Sequence, residues 1–434
     1  MNIKLNIIEL LNKFEDKSYS NILLDEYFKS TNLNNSSKGL VTEIFYGIIR
    51  QKIFIDYIIS QYTKKVKKKW LLNNFRIAIY QMLFMSSKNE VVIWEAVELT
   101  KEKYDKVIGN FVNGVLRNIL REKEKIIDSL EKKHRYDILY SYPTWIYAKI
   151  KSQYKKNYLE ILKKFKEIPI TSFKVNKLKS TIEEFEKYIF SNSMNIYFHF
   201  GDIYYLKNKL IYDSDLIKEK KVTIQDGASY SVAKILEVNE NERVLDVCAA
   251  PGGKTLVMAE CMNNKGEIIA CDINKNRLDL MEKNLKKIGV KNTNFLCCDA
   301  KYIDKLEGEF DKILLDVPCS GFGVIRKKPE ILYNRSEKDI SELNILQYKL
   351  IKSAAKKIKK GGTILYSTCT FLKEENTDII KKFLIENIDF KVDTNFRIDE
   401  NIILEKDEVG GFYISHKNKY LDGFYFAKII KIKG

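Results

Sequence analysis

The sequence predicts a multidomain fold class: an all-α helix bundle, a small α+β linker module and a C-terminal α/β domain with a doubly wound sheet. Its 434 residues are too many for one ordinary domain. Apolar residues recur at helical spacing in the first part, whereas from about residue 222 onward short β-branched runs alternate with helical patterns. An apolar fraction of 45% is enough to fill the hydrophobic cores that such domains need.

The predicted helix bundle spans residues 1–136. Glycine and proline are scarce there, and apolar side chains recur three and four residues apart, as between Ile44 and Ile58. The bundle also contains a basic run that ends on Trp70, which is either a solvated loop or a patch that contacts phosphate groups. The lysines of this run are Lys64, Lys65, Lys67, Lys68 and Lys69.

The predicted linker module spans residues 137–221. Pro143 is expected to open a helix, because proline is favoured where a helix begins. Short strand-like segments follow at Thr171–Val175 and Ile196–Phe200. Many lysines accompany them.

The predicted α/β domain spans residues 222–434. Its candidate parallel strands are Arg243–Cys248, Glu267–Asp272, Thr293–Cys298, Lys312–Val317 and Thr363–Thr368. Two later segments, Phe412–Ser415 and Gly423–Ile430, are predicted to close the sheet as an antiparallel hairpin. Alternation of strands and helices of this kind indicates a sheet with helices on both faces.

The formal net charge of +17 favours polyanionic partners, either nucleic acid or an anionic membrane surface. Only 10 of the 75 basic residues are arginine, and a lysine-rich composition can also reflect the composition of a genome, so charge alone does not decide between binding and bias. No signal peptide and no apolar run near ~20 residues is evident. We therefore expect a cytoplasmic protein with no membrane partner.

The seven cysteines do not suggest a metal site or a disulfide framework, because their number is odd and no C-x-x-C pair occurs. We expect no bound metal. A single cysteine in a strand is usually a small buried hydrophobe, which is the prediction for five of them. These are Cys248, Cys261, Cys271, Cys297 and Cys298.

The first predicted strand of the α/β domain leads into a loop of small residues. Such residues let the backbone approach a ligand closely, and the helix after the loop presents free amides to it. The loop lacks the first glycine of a Walker motif and also lacks G-x-G-x-x-G, which leaves S-adenosylmethionine as the nucleotide-like ligand. The loop consists of Cys248, Ala249, Ala250, Pro251, Gly252, Gly253 and Lys254.

Acidic residues end the next two strands. Asp272 lies 26 residues after Asp246, where a carboxylate can bind two ribose hydroxyls, and Asp299 would be within reach of an adenine amino group. A lone acid at a strand end is usually a helix cap, but two of them behind a small-residue loop favour cofactor binding. Arg277, which follows the second strand, completes the candidate cofactor residues.

Two cysteines, Cys319 and Cys369, follow the ends of the fourth and fifth strands, which are expected to be neighbours about 4.8 Å apart. Carbon 5 of cytosine is too weakly nucleophilic to take a methyl group directly. A thiolate that adds to carbon 6 makes carbon 5 nucleophilic, and a base must later remove the proton from carbon 5. Asp316 would hold the ring edge. These residues predict cytosine methylation but do not show which cysteine attacks.

These motifs resemble those of the Fmu/Sun group (RsmB-type) of 16S ribosomal RNA cytosine-C5 methyltransferases, within the NOL1/NOP2/Sun family. The strongest matches are the C-A-A-P-G-G-K loop, the D-x-P-C-S-G element at Asp316–Gly321 and the S-T-C-S element at Ser367–Thr370, where Thr370 replaces the last serine. One departure is the missing proline at Tyr413–His416. Further matches occur at Ile224–Ser229, Arg326–Ile331, Asp422–Phe424 and, to the NusB-like domain, Phe111–Arg117.

The resemblance implies a NusB-like helical domain that binds RNA, a linker that contributes to RNA binding and a Rossmann-like S-adenosylmethionine domain. It also implies that Cys369 attacks the cytosine, that Cys319 assists product release, and that Asp316, Asp272 and Asp299 line the cofactor site. The implied substrate is cytosine 967 of 16S ribosomal RNA, naked or in an early assembly intermediate, and we expect a monomeric enzyme. The alternatives are the same chemistry on another ribosomal or transfer RNA cytosine, or a non-catalytic NusB-like RNA-binding factor.

Overall fold

The computed structural model describes residues 3–15, 20–64, 66–207 and 210–433. The chain forms two compact units. The first comprises Met1–Glu167 and Ile325–Asn334, and the second comprises Ile168–Val324 and Arg335–Gly434. Because a short later segment belongs to the first unit, these units do not correspond one to one to the three predicted ranges, which remain a proposal for the domain boundaries.

The first unit is helical, as the apolar spacing predicts. Its helices bury residues such as Ile44, Phe45 and Phe75 in one hydrophobic cluster. Its helices up to residue 164 are α1 (Ile3–Glu15), α2 (Ser20–Lys29), α3 (Asn35–Arg50), α4 (Lys52–Tyr62), α5 (Lys69–Phe84), α6 (Asn89–Lys103), α7 (Lys106–Lys132), α8 (Tyr136–Leu139), α9 (Thr144–Tyr154) and α10 (Tyr158–Lys164). Pro143 immediately precedes α9, as predicted. Within the described ranges, no helix has the length and apolar character needed to cross a membrane.

The basic run lies at the start of α5. The Trp70 ring packs edge-on against the Tyr104 ring, and the Lys68 ammonium lies 4.0 Å from the centroid of the Tyr104 ring. Lys65 lies outside the described residues. The run is therefore partly anchored to the helical core, and either of its predicted roles remains open.

The second unit begins with a small four-stranded sheet. Its elements are β1 (Ser172–Val175), α11 (Ile182–Ser191), β2 (Ile196–Phe200), β3 (Ile203–Leu206), α12 (Asp215–Lys218) and β4 (Val222–Ile224). The strand order is β2-β3-β1-β4 with every pair antiparallel, which is the ferredoxin-like arrangement. The sequence predicted β1 and β2 but missed β3 and β4. The four residues of β3 are all buried and β4 has only three residues, so neither strand shows a detectable alternation of apolar and polar side chains.

The rest of the second unit is the predicted α/β domain. Its elements are α13 (Gly227–Ile235), β5 (Arg243–Val247), α14 (Gly253–Cys261), β6 (Glu267–Asp272), α15 (Lys275–Ile288), β7 (Thr293–Cys297), β8 (Phe310–Asp316), α16 (Ile331–Asn334, which belongs to the first unit), α17 (Glu337–Ala355), β9 (Ile358–Thr368), α18 (Thr377–Glu386), β10 (Phe390–Val392), β11 (Leu404–Lys406), β12 (Phe412–Ile414) and β13 (Tyr425–Lys431).

The sheet of this domain has the order β11-β12-β13-β9-β8-β5-β6-β7, with β10 paired to β13. Strands β9, β8, β5, β6 and β7 are parallel, and the predicted hairpin of β12 and β13 extends the sheet in the antiparallel sense. All five predicted parallel strands are present, with ends shifted by up to five residues. The adjacency of the fourth and fifth is confirmed, since Asp316 lies opposite Ser367.

A buried ion pair joins the small sheet to the α/β domain. The Lys174 side chain on β1 is fully buried, and its ammonium donates to both carboxylate oxygens of Glu260 on α14. The Lys177 backbone N–H donates to the same carboxylate at 3.0 Å. Removing either charge would leave the other buried and uncompensated, at a cost of about 3–5 kcal/mol.

The segment Ile325–Asn334 packs into the first unit through polar contacts that are buried. The Arg50 guanidinium donates to the Arg326 carbonyl at 2.9 Å, and the Ser20 hydroxyl donates to Glu330 at 2.6 Å. Arg326 is 1% exposed and Glu330 is 3% exposed. The residues that resemble the R-x-x-P-[DE]-I motif are therefore structural members of the helical unit.

Candidate active site

The carboxyl ends of β8 and β9 bring the two predicted reactive cysteines into contact. The sulfur atoms of Cys319 and Cys369 lie 3.2 Å apart, and the Cys369 backbone N–H donates to the Cys319 sulfur at 3.3 Å. Both side chains are half-buried and carry no disulfide. Parallel neighbouring strands end at the same edge of a sheet, which explains why two thiols 50 residues apart meet here.

Asp316 lies between these cysteines and the small-residue loop. One carboxylate oxygen accepts a hydrogen bond from the Lys254 ammonium at 2.7 Å, and the other accepts one from the Ser367 hydroxyl at 2.7 Å. Although burial opposes the charge of Lys254, the adjacent Asp316 outweighs it and holds the pKa of this lysine above its ordinary value. Lys254, predicted as a cofactor residue, thus points to the cysteine side of the site.

The environment of Cys319 disfavours its thiolate. The hydrogen bond with Cys369 is the largest cause that raises the pKa of Cys319, followed by burial and by the negative charges of Cys369, Glu375 and Asp316. At neutral pH, Cys319 is therefore a protonated thiol that can donate its hydrogen to the other sulfur.

A glycine that the sequence analysis did not single out joins three motifs. The Gly323 N–H donates to the Cys369 carbonyl at 2.9 Å, and the Gly423 N–H donates to the Gly323 carbonyl at 3.0 Å. A Cβ atom at Gly323 would lie 1.9 Å from the Gly423 carbonyl oxygen, so no other residue fits without displacing backbone. This close approach fixes the position of the loop that carries Cys369.

Two polar residues after β9, Glu375 and Asn376, were also missed. Both side chains are fully buried. Glu375 accepts the backbone N–H of Ser320 at 2.8 Å, and the Asn376 amide donates to the Thr370 carbonyl at 3.0 Å. Their only signal in the sequence is polarity soon after a buried strand, a position where loops that carry function commonly occur.

The small-residue loop is tied to the ends of β6 and α15. The Ala249 N–H donates to the Cys271 carbonyl at 2.8 Å, and the Ala250 N–H donates to Asp272 at 3.2 Å. Arg277 donates to the Ala250 carbonyl at 2.5 Å, so this predicted cofactor residue stabilises the backbone of the loop. Gly252 has φ +98°, a left-handed conformation that favours glycine.

Buried acceptors at this loop lack partners among the described residues. Asp246 is fully buried, and while one of its oxygens accepts the Thr255 hydroxyl, the other accepts nothing. The side-chain oxygen of Gln225 is likewise unpaired, although its amide nitrogen donates to the Gly253 carbonyl at 3.0 Å. Unpaired buried acceptors fit a ligand that brings hydrogen-bond donors and positive charge, as S-adenosylmethionine does.

Asp299 shows the behaviour of a helix cap. It accepts the Lys301 backbone N–H at 3.0 Å, and the Lys301 ammonium lies 2.9 Å from it. A role toward adenine therefore stays a prediction for this residue. Asp272 does not cap a helix, since Asn274 is the N-cap of α15; Asp272 accepts the Asn274 N–H at 2.9 Å and holds the loop through Ala250.

The prediction that the other five cysteines are buried hydrophobes is wrong for Cys297 and only partly right for three more. Cys271 is buried, whereas Cys297 is exposed and the rest are half-buried. Cys297 is the last residue of β7, an edge strand that is only partly covered along its length, so its side chain reaches solvent. The partly buried cysteines are Cys248, Cys261 and Cys298.

The burial of Asp246 should make the free energy of unfolding of the ligand-free protein depend on pH. Burial raises the pKa of Asp246 from 3.8 to about 7, so between these values the folded chain holds a proton that the unfolded chain has lost. The free energy of unfolding should therefore fall as pH rises through this window, by up to about 1.4 kcal/mol per pH unit. Asp246→Asn removes this slope. Denaturant unfolding from pH 4.5 to 8 measures it, and parallel curves for the two proteins would contradict the prediction.

The chain is similar to known families and proteins over most of its length. A family model described as 16S rRNA methyltransferase RsmB/F matches residues 233–430, and a NusB family model matches residues 1–121. The probable ribosomal RNA small subunit methyltransferase B of Bacillus subtilis is 34% identical over 91% of this chain and 91% of its own. The ribosomal RNA small subunit methyltransferase B of Shewanella oneidensis is 31% identical over 92% of each chain. The crystal structure of PH0851 superposes with a TM-score of 0.80 at 28% identity, covering 99% of both chains.

Proposed function

The chain belongs to the RsmB/F family of ribosomal RNA methyltransferases, and from this premise we propose that it methylates carbon 5 of a cytosine in 16S ribosomal RNA, cytosine 967. The observation that carries the proposal is the pair of thiols 3.2 Å apart, next to a carboxylate that is paired with the lysine of the small-residue loop. Two thiols and an acid match the needs of this reaction and are surplus to methylation of a simple nucleophile.

Cys369 acts as the nucleophile in this proposal. Its thiolate forms a bond to carbon 6 of the cytosine, and the electrons of the broken C5–C6 π bond make carbon 5 nucleophilic. Carbon 5 then takes the methyl group, and the bond between that methyl group and the donor sulfur breaks. S-adenosylmethionine supplies this methyl group as an electrophilic sulfonium.

Cys319 completes the reaction. While Cys369 is bonded to carbon 6, Cys319 loses its proton to solvent and, as a thiolate, removes the proton from carbon 5. The electrons of that C–H bond restore the C5–C6 double bond, and the C6–sulfur bond breaks to expel the Cys369 thiolate. Asp316, which is anchored by Ser367 and Lys254, orients the ring edge of the cytosine.

The donor binds at the loop of residues 248–254 in this proposal. Asp272 would accept the ribose hydroxyls, and Asp299 would contact the adenine. The unpaired oxygens of Asp246 and Gln225 supply acceptors beside the loop. Arg277 would act indirectly, since its guanidinium holds the Ala250 carbonyl.

The partner in this proposal is 16S ribosomal RNA, naked or in an early assembly intermediate. The NusB-family region and the net charge of +17 both suit a polyanionic RNA. A ribosomal RNA substrate places the enzyme in the cytoplasm. We propose that it acts as a monomer.

Methyl mapping at single-nucleotide resolution tests the proposal. RNA from cells that lack the gene should lose one 5-methylcytosine in 16S ribosomal RNA, at position 967, and the wild-type gene should restore it. A gene that encodes Cys369→Ala should not restore it. Loss of a methyl group from transfer RNA or from another ribosomal position would replace the proposed target, and an unchanged methylation map would reject the activity.

A further inference from the structure

Glu375 follows β9 and binds Ser320, the residue after Cys319, but contacts neither substrate nor cofactor in the proposed reaction. Its side chain is fully buried, and three N–H or O–H groups donate to it. The Ser320 hydroxyl donates at 2.5 Å and the Ser320 backbone N–H at 2.8 Å, while the Gln347 amide donates at 3.0 Å. Burial raises the pKa of Glu375 above its ordinary value, and the three hydrogen bonds act against this shift because each of these partners can donate to a carboxylate.

The contacts of Glu375 reach the loops of both cysteines. Ser320 follows Cys319 directly, and its hydroxyl lies 2.9 Å from the hydroxyl of Thr370, the residue after Cys369. The Gln347 amide that binds Glu375 also donates to the Pro318 carbonyl at 2.9 Å. A single buried carboxylate thus joins the two short loops that set the distance between the thiols.

The charges around the two thiols are asymmetric. The Lys254 ammonium interacts with Cys369, whereas Glu375 and Asp316 both oppose a negative charge on Cys319. The Cys369 N–H that reaches the Cys319 sulfur acts in the other direction but is a single weak contact to sulfur. The charged and titratable groups that face Cys319 are Cys369, Glu375, Asp316 and Tyr366, with Lys254 paired to Asp316 and Arg335 beside Glu375.

We propose that Glu375 is a positioning residue whose negative charge keeps Cys319 a protonated thiol and thereby assigns the two cysteines their different tasks. This inference rests on the proposed function. A protonated Cys319 can donate its hydrogen to the Cys369 thiolate before attack. Once ionised, it is a stronger base for the carbon 5 proton than an ordinary cysteine, because the same charge that opposes its ionisation raises its basicity.

Glu375→Gln separates charge from shape. The amide oxygen can accept the two N–H groups, and the amide nitrogen can donate to the Ser320 hydroxyl, which then turns toward Thr370. Glu374→Gln removes the same charge one residue away and is the matched control. Ser320→Ala removes the hydroxyl link but keeps the charge and the backbone N–H bond.

The test measures ionisation of Cys319 without RNA. In a Cys369→Ser background, the rate of alkylation of Cys319 by iodoacetamide is followed against pH by peptide mass spectrometry. Glu375→Gln should lower the pH midpoint of alkylation by about one unit or more, because a nearby like charge shifts a pKa by that amount. Glu374→Gln and Ser320→Ala should leave the midpoint in place. The fully buried Cys271 must stay unreactive, which shows that each variant is folded.

An unchanged midpoint in folded Glu375→Gln overturns the proposal, as does an equal shift in Glu374→Gln. If Glu375→Gln does not fold, Glu375→Met fills the same space without charge and must shift the midpoint in the same direction. Failure of the proposed function has a different signature, since wild-type protein would then methylate no RNA while the alkylation result would stand. With methylation present, Glu375→Gln should also move the pH midpoint of product release downward, which a purely structural residue would not do.

Discussion

Replacing Cys369 by serine should abolish methylation of RNA, with a loss of at least about 10³-fold in turnover. A hydroxyl group adds poorly to carbon 6, and no other described thiol lies as close to Cys319 as Cys369 does, at 3.2 Å. Binding of S-adenosylmethionine should be unchanged, because the loop of residues 248–254 follows a different strand. Transfer of labelled methyl groups to RNA measures the first effect, and calorimetry measures the second.

The partner variant Cys319→Ala should give the opposite phenotype. Without a base for the carbon 5 proton, the adduct between Cys369 and carbon 6 cannot resolve. A slowly migrating protein–RNA band should therefore accumulate on a denaturing gel when S-adenosylmethionine and RNA are both present. The double variant, which lacks both thiols, is the control and should form no such band.

These two variants also decide which cysteine is the nucleophile and which is the base. If Cys369→Ser forms the stable adduct and Cys319→Ala does not, the roles of the two cysteines are reversed. The raised pKa of Cys319 argues for the assignment proposed here, because a thiol that is held protonated is a poor nucleophile.

Much of the site could be predicted from the sequence because it depends on strand order. A parallel sheet places the ends of neighbouring strands at one edge, so Cys319 and Cys369 had to meet once β8 and β9 were recognised as neighbours. The same reasoning placed Asp316 beside them. The limits of the strands were less accurate, since β9 begins five residues before its predicted start.

Contacts that depend on side-chain direction could not be predicted in this way. Lys254 belongs to the small-residue loop in the sequence, but its long side chain reaches Asp316. Glu375 and Asn376 look like ordinary loop residues until burial shows that they hold the cysteine loops. Cys297 was misjudged because exposure at an edge strand depends on which neighbours cover it.

The close approach at Gly323 predicts the second large effect. Gly323→Ala would place a Cβ atom 1.9 Å from the Gly423 carbonyl oxygen and 2.9 Å from the Cys369 carbonyl oxygen. These are backbone atoms that cannot rotate away, so the two segments must separate by at least about 1 Å before a real Cβ atom can be accommodated. Displacement of a reacting group by about this distance costs on the order of 10²-fold in turnover.

Gly323→Ala should therefore lower kcat by about that factor while S-adenosylmethionine binds as before. The rate at which diamide joins Cys319 to Cys369 reports their spacing directly and should fall together with kcat. Gly114→Ala is the matched control, because no atom lies within 4 Å of a Cβ built there and alanine stabilises a helix by about 0.5–1 kcal/mol over glycine. A kcat within about threefold of the wild type for Gly323→Ala would show that the Cys369 loop holds its position without this contact.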